Sequence, residues 1–376
     1  MIRRAGRPLV PRATLSDADW LRRRSGGTMP TGAVLLHAPS AAFQAPGGGE
    51  RQLVATGRAL EDLGVSVRPF VSWTDRLPRA RLLHLFGMSP EGLSLARVAR
   101  ARGVPVVLSP ICWLEPRSLW ALRPSCTRGA RDLAAWAMRR ACPFGLSWRG
   151  ELLRHADAIL PNSRAEADQL VRLFRADPER IAVVPNGVDP RFAEGDADHV
   201  ADEAPASPFV LYAGRIEPRK NVLNLVRAAR LASLPLVVLG DAVPGHEAYA
   251  RACREGAGPT TTFRPGLAHD DPRLAAWYAA ARVLALPSWF ETPGLAALEG
   301  ALAGCAVVIT PHGATREYFG SLARYARPDR VGEIAAALVA AMREGPPAGL
   351  ASHVASEYLW AAIARRTAEV YARAAR

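Results

Sequence analysis

Lysine is almost absent from this chain. Of the 48 Lys and Arg residues in its 376 positions, only Lys220 is a lysine. An arginine and alanine bias of this kind fits a GC-rich coding sequence, but that leaves the one lysine unexplained. Cysteine is sparse too. Cys112, Cys126, Cys142, Cys253 and Cys305 are odd in number, scattered and without a CxxC pair, which excludes a disulfide framework or zinc site and leaves buried thiols. No apolar run approaches the roughly 20 residues of a membrane-spanning helix. The first residues, "MIRRAGRPLVPRATLSDADW", are basic but lack the apolar stretch of a secretory signal. These absences set the expectation of a bacterial-style cytoplasmic protein. Low-complexity tracts are missing, and 49% of residues are hydrophobic against 22% charged, so a disordered chain is excluded.

What is present is enough for two ordinary domains. The net charge of +13 is uneven: residues 1–190 hold 28 arginines and 16 acids, and the remainder is nearly balanced. This asymmetry suggests an acidic partner on the first half, or simply a well-solvated basic surface.

Short apolar runs alternate with helical patterns. "TGAVLLHAPS", "VSVRPFVS", "RLLHLFGM", "GVPVVLSP", "HADAILPNS" and "IAVVPNGVD" read as strands, with helices between them. This is the pattern of βαβ units on a parallel sheet. Residues 189–208 are polar and acidic and read as a linker. The alternation then restarts with "FVLYAG", "LPLVVLGD", "TTFRPG", "ARVLALPS" and "CAVVIT". The expected fold class is α/β, with two Rossmann-like parallel domains facing a cleft. The boundaries are a basic N-terminal extension over 1–30, an acceptor-binding domain over 31–190, a linker over 191–208, a nucleotide-sugar domain over 209–350, and a C-terminal helix over 351–376 that can pack back on the first domain. Ligands of such sheets sit at the carboxyl ends of the strands.

The clearest chemistry lies in "LPSWFETPGLAALEGALAGCAVVIT", residues 286–310. Thr292 can cap a helix and Pro293 suits its first position. Free amides near Gly294 and Leu295 then suit a phosphate, and Gly294 lacks the Cβ that would obstruct it. Glu291 and Glu299 flank this end and can accept hydrogen bonds from sugar or ribose hydroxyls. A phosphate cradle between two such carboxylates describes a nucleotide-sugar site.

The ordered set "GGGERQ", "HLFG", "ILPNS", "VPNGVD", "YAGRIEPRKN", "LVVLGD", "FRPG" and the Glu291-x7-Glu299 motif resembles the retaining GT-B glycosyltransferases of family 4, also called group 1, over roughly residues 31–345. The resemblance implies roles. Gly214, Arg215 and Lys220 fall in the family's "G-R-x4-K" and would neutralise the donor diphosphate. Lys220 offers a compact charge where a planar guanidinium need not fit. Glu299 would hold the ribose and Glu291 the donor sugar, with Gly294, Leu295 and Thr292 at the donor phosphates. Gly47, Gly48, Gly49 and His84 would form the donor and acceptor loop of the first domain. Each also has a plain structural reading: a strand-to-helix turn for the glycines and a packed core side chain for His84. Pro185-Asn186-Gly187 reads as a turn at the domain crossing, without a ligand.

Two departures stand out. Many family members carry a histidine where this chain reads "LSPICWLEP" (108–116), and Ala296 replaces a frequent proline. A mechanism resting on that histidine does not transfer. Residues 113–154 combine Trp113, Trp120, Trp136 and Trp148 with eight arginines and three acids. Such a segment suits an anionic membrane surface or ordinary helices with a packed tryptophan face. No recognised nucleic-acid module accompanies it.

The sequence therefore points to a retaining, metal-independent glycosyltransferase that uses a UDP- or GDP-sugar, needs no cofactor and takes a glycan or lipid-linked acceptor. It would work in the cytoplasm or on the inner face of the membrane. No carboxylate pair spaced like a DxD metal site falls in a plausible loop. Three alternatives stay open: a catalytically silent nucleotide-sugar binder, another GT-B enzyme such as an epimerase or phosphorylase, and a basic membrane or nucleic-acid adaptor.

Overall fold

A computed structural model describes residues 16–44, 47–114, 116, 133–138 and 147–375. Its strands form two sheets in which every pairing is parallel. The first sheet has β1 (Val34–His37), β2 (Val67–Pro69), β3 (Leu82–Phe86), β4 (Val106–Ser109) and β5 (Ala158–Ile159), in the order β2-β1-β3-β4-β5. The second has β6 (Val210–Ala213), β7 (Leu236–Leu239), β8 (Thr261–Arg264), β9 (Val283–Leu286), β10 (Ala306–Ile309) and β11 (Arg324–Tyr325), in the order β11-β10-β9-β6-β7-β8. Both are doubly wound. The strand order reverses between β1 and β3 in the first sheet and between β6 and β9 in the second, and a crevice opens at such a switch point.

The strands are apolar runs because both faces of each sheet are covered. In the first sheet Leu35, Leu83, Leu85, Val106 and Leu108 pack on one side, under helices Pro90–Ala101, Trp148–His155 and Arg164–Phe174. Val34, Leu36, Leu82, Phe86 and Val107 pack on the other, with residues of helix Gly48–Asp62. Among the described residues no helix is long and apolar enough to cross a membrane.

Four expectations about organisation change. Residues 17–30 are not an extension. Asp17–Ser25 is a helix whose Trp20 is buried and donates to Glu61 at 3.0 Å, and Arg68 reaches back to the Ser25, Gly26 and Gly27 carbonyls. "IAVVPNGVD" forms only isolated bridges, Ile159 to Ile181 and Val188 to Leu359, and no turn forms at 185–187. The segment 191–208 is not a free linker, because Phe192 and Val200 anchor two 3-10 turns in the second core. The C-terminal stretch is two helices. Leu350–Glu357 packs on the second core, and Trp360–Ala374 returns to the first through Ile363, Ala364, Val370 and Tyr371. The two chain crossings, at Val188 and at 358–360, hydrogen-bond to each other.

Of the cysteines, Cys253 and Cys305 are buried free thiols and Cys112 is a half-buried one. Cys126, Cys142, Trp120 and most of the Arg/Trp segment lie outside the described residues.

Candidate functional site

The second sheet's switch point carries the expected residues. Gly214-Arg215 follows β6, and Pro287-Ser288 follows β9. Lys220 closes the 3-10 turn Pro218–Lys220, and the amide side chain of Asn221 fixes that turn to the Pro287 and Pro328 carbonyls. The result is an ion pair across the switch point. Lys220 Nζ lies 2.6 Å from Glu291 Oε1, and Ser288 Oγ donates to the same oxygen at 2.7 Å. Glu291 Oε2 has no hydrogen-bond partner among the described residues. Burial pushes the Glu291 carboxyl up, but the Lys220 and Arg219 charges together outweigh it and hold the group below its ordinary range. Burial pulls the Lys220 ammonium below its ordinary range, against the pull of Glu291.

Glu291 is held at its backbone as well. It bridges Gly313, where a Cβ would stand 1.8 Å from the Glu291 carbonyl oxygen, so only glycine allows this approach. Three residues on, Gly294 takes φ +74° at the cap of helix Leu295–Leu302. Thr292 is therefore not the cap. The helix starts two residues later than expected, because a left-handed cap needs glycine there. The open amides at Leu295 and Ala296 then face the cleft at the positive end of the helix.

Arg215 donates to Glu217 at 3.2 Å, and Glu217 also takes Arg219 at 3.2 Å. The first domain comes close here. A Cβ on Gly47 would lie 3.3 Å from Arg215 Nη1, one on Gly48 3.6 Å from Leu295 Cδ1, and one on Gly49 3.3 Å from Ile111 Cδ1. The glycine loop thus fits against the Arg215 guanidinium and the helix end.

Glu299 is already engaged. His269 Nε2 lies 3.1 Å from Oε1, and the Tyr278 hydroxyl donates to Oε2 at 2.6 Å. Arg191 reaches both the ring and the carbonyl of His269. Each carboxylate oxygen keeps a lone-pair direction for a further hydrogen bond.

His84 does not join this group. It is buried on β3, with Nδ1 2.6 Å from the Tyr371 hydroxyl and Nε2 2.9 Å from Ser109 Oγ. Burial lowers its pKa to about 3. It ties the returning C-terminal helix to the first sheet. The sequence reading also missed Arg219, Ser288, Glu217, His269 and Tyr278. The arginine and glutamate stood inside "RIEPRKN", but nothing in their spacing set them apart from solvated charges.

Beside this site a cavity of about 350 Å³ lies between the domains, lined among others by Trp113, Trp136, Asp168, Arg172 and His312. Trp113 stacks across the cleft on Phe290, the neighbour of Glu291, with centroids 6.3 Å apart.

Two parallel Rossmann-like domains, with a cation-rich switch point closed by a glycine loop from the opposite domain, define the GT-B class. Residues 23–187 match the family described as glycosyl transferase 4-like domain, and residues 207–344 match glycosyl transferases group 1. The chain belongs to this glycosyltransferase family. It is similar to D-inositol 3-phosphate glycosyltransferase 1 of Catenulispora acidiphila, at 32% identity over 73% of this chain and 68% of the relative. It is also similar to that organism's D-inositol 3-phosphate glycosyltransferase 2, at 33% over 58% and 56%. With several such relatives, the match spans little more than half of their length. In fold it resembles sucrose-phosphate synthase of Thermosynechococcus elongatus (TM-score 0.71, 18% identity, 91% of this chain and 98% of that one). It likewise resembles the Anabaena HepE protein in complex with UDP (TM-score 0.67, 17% identity, 91% and 100%).

Proposed function

We propose that the chain transfers a sugar from a nucleoside-diphosphate sugar to an acceptor hydroxyl, with retention of anomeric configuration and without a metal. One observation carries this reading: Arg215, the Lys220–Glu291 pair and the amides of helix Leu295–Leu302 converge at one switch point.

As the glycosidic bond breaks, the leaving diphosphate gathers negative charge. Arg215, the remaining Lys220 donors and the Leu295 and Ala296 amides stabilise that charge in the transition state. Glu291 Oε2 takes a hydroxyl of the donor sugar, and Glu299 takes the ribose. The acceptor hydroxyl attacks on the face the nucleotide leaves, and the leaving phosphate accepts its proton. No side-chain base is required, so the missing histidine of "SPICW" is tolerated. The acceptor enters from the first domain. The relatives' names support a hydroxyl acceptor, and a glycan or lipid-linked glycan fits the same route.

The test is release of UDP or GDP from a panel of nucleotide sugars, with and without acceptors, for wild type, Glu291→Ala and Lys220→Arg. The expected result is release from one donor that is lost in both variants, insensitive to EDTA, with the product anomer matching the donor's by NMR. Donor binding without turnover on any acceptor would overturn the enzyme reading in favour of a silent nucleotide-sugar binder.

A further inference from the structure

The cleft holds a cation that the proposed chemistry leaves unused. Arg51 lies in the first turn of helix Gly48–Asp62, where its amide donates to the Gly47 carbonyl at 3.2 Å. Its Nη1 is buried without a hydrogen-bond partner among the described residues. The side chain as a whole is half-buried, yet this one guanidinium nitrogen is cut off from water and left without a partner, which is destabilising. A fold that keeps such a group has a use for it when something else is bound.

The neighbours say what that something is. One turn before Arg51, Gly47 lies against the Arg215 guanidinium, and Gly48 lies against Leu295 at the start of the second-domain helix. Two helix N-termini therefore meet from opposite domains, with Arg215 against the residue one turn before Arg51. The nearby carboxylates are committed elsewhere. Glu50 accepts the Gly47 amide at 2.7 Å, and Glu217 holds Arg215 and Arg219. The charge of Arg51 is also felt at Tyr278, which donates to Glu299. Yet Arg51 makes no ion pair with Glu299 or with any other described carboxylate. A gap on the cationic side of the cleft, between groups of both domains, calls for an anion.

We propose that Arg51 binds a phosphate oxyanion, and that with Arg215 it makes an anion site shared by the two domains. This rests on the nucleoside-diphosphate reading of the cleft. The oxyanion comes either from the donor diphosphate or from a phosphate on the acceptor. In both cases the first domain grips the anion directly, so binding draws the domains together.

The experiment compares wild type, Arg51→Gln and Arg51→Lys by calorimetry and thermal melting. The ligands are uridine, UDP, guanosine and GDP, then inorganic phosphate added to the nucleotide-saturated protein. If the donor supplies the anion, Arg51→Gln weakens the nucleoside diphosphate at least tenfold and leaves the nucleoside unchanged, and Arg51→Lys recovers part of the loss. If the acceptor supplies it, nucleotide affinity holds and the phosphate titration loses its heat. In either case the unliganded Gln variant melts at or above the wild-type temperature, because a buried guanidinium nitrogen without a partner has gone. Equal weakening of nucleoside and diphosphate, or a lower melting temperature with no change in either anion titration, overturns the proposal. A wild type that binds neither UDP nor GDP sinks the nucleotide reading instead, and the phosphate arm still decides Arg51.

Discussion

Lys220 and Glu291 are 71 positions apart in the chain, and their charged atoms stand 2.6 Å apart in the fold. The lone lysine is thus half of a buried ion pair as well as a cation of the cleft. Its side chain is 16% exposed, and Ser288 fills the space beside it. A guanidinium there cannot donate end-on to Glu291 without displacing Ser288. We expect Lys220→Arg to lower kcat by about 10²–10³-fold, the loss typical of one missing donor to transition-state charge. Lys220→Ala should also destabilise the protein by roughly 3–5 kcal/mol, because Glu291 would stay buried without its counter-charge. Steady-state kinetics and urea unfolding measure the two effects. An arginine variant with wild-type kcat would show that any cation serves.

A second contact joins the domains away from the chemistry. Both carboxylate oxygens of Glu317 accept the first two amides of helix Arg164–Phe174, from Arg164 at 2.7 Å and Ala165 at 2.8 Å. Ser163 caps the third. Nearby, the Tyr318 hydroxyl donates to the Asn162 carbonyl and accepts the Asn186 amide. A second-domain residue therefore serves as the anionic cap of a first-domain helix, an arrangement typically worth about 1 kcal/mol. Glu317→Ala should open the cleft, raising the radius of gyration in solution scattering and the donor KM while leaving the helix content intact. Unchanged scattering would mean that the remaining contacts, among them those of Tyr318, hold the domains without Glu317.

The strands were legible because both faces of each sheet are buried, so Val34–His37 and Val283–Leu286 stand out as apolar runs between turns. The glutamate pair and "G-R-x4-K" were legible because their spacing is local. The pairing of Lys220 with Glu291 was not, since it depends on β6 and β9 lying side by side across a strand-order reversal. Nor was the approach of His269 and Tyr278 to Glu299, since it depends on helix Pro272–Ala280 and the loop before it packing on helix Leu295–Leu302. Thr292 misled because a threonine before a proline is a good local cap, yet the tertiary fold needs the left-handed Gly294. Residues 191–208 misled because two buried side chains, Phe192 and Val200, anchor an otherwise polar stretch.

His84 separates a structural role from a catalytic one. Both of its ring nitrogens are engaged inside the core, and the C-terminal helix hangs on one of them. His84→Ala should destabilise the protein by about 2–4 kcal/mol through a cavity and two unpaired hydroxyls. The kcat/KM of the folded fraction should change less than threefold. The buried ring also stays neutral in the fold down to about pH 3, whereas an unfolded histidine takes up a proton near pH 6.5. Stability from this residue is present above pH 6.5 and is lost as pH falls toward 3. A glutamine variant should lose less stability over that window, which thermal melts at several pH values measure. A large fall in kcat/KM at full folding would place His84 back in the active site.

Glu166 gives the opposite pH dependence. It is wholly buried, and it accepts the Cys112 amide at 2.6 Å and the Asn162 amide at 2.8 Å. It thereby fixes the "SPICW" loop, where Ile111 holds a left-handed φ of +48° and Trp113 reaches Phe290. Burial, the largest influence, pushes its carboxyl up to about 7, against the pull of those two amides. The folded pKa therefore lies above the unfolded one, and the folded form keeps its proton where the unfolded chain has lost it. The residue's contribution is full below about pH 4.5, falls as pH rises to about 7, and is flat beyond. At about 1.4 kcal/mol per unit, the change across that window is roughly 3 kcal/mol. Glu166→Gln cannot ionise, so its stability relative to wild type should climb from pH 4.5 to 7 and then level off. The same variant should raise the acceptor KM, since one amide tether to the loop becomes weaker. A stability difference that does not vary with pH would mean that the two amides win and Glu166 is ionised throughout.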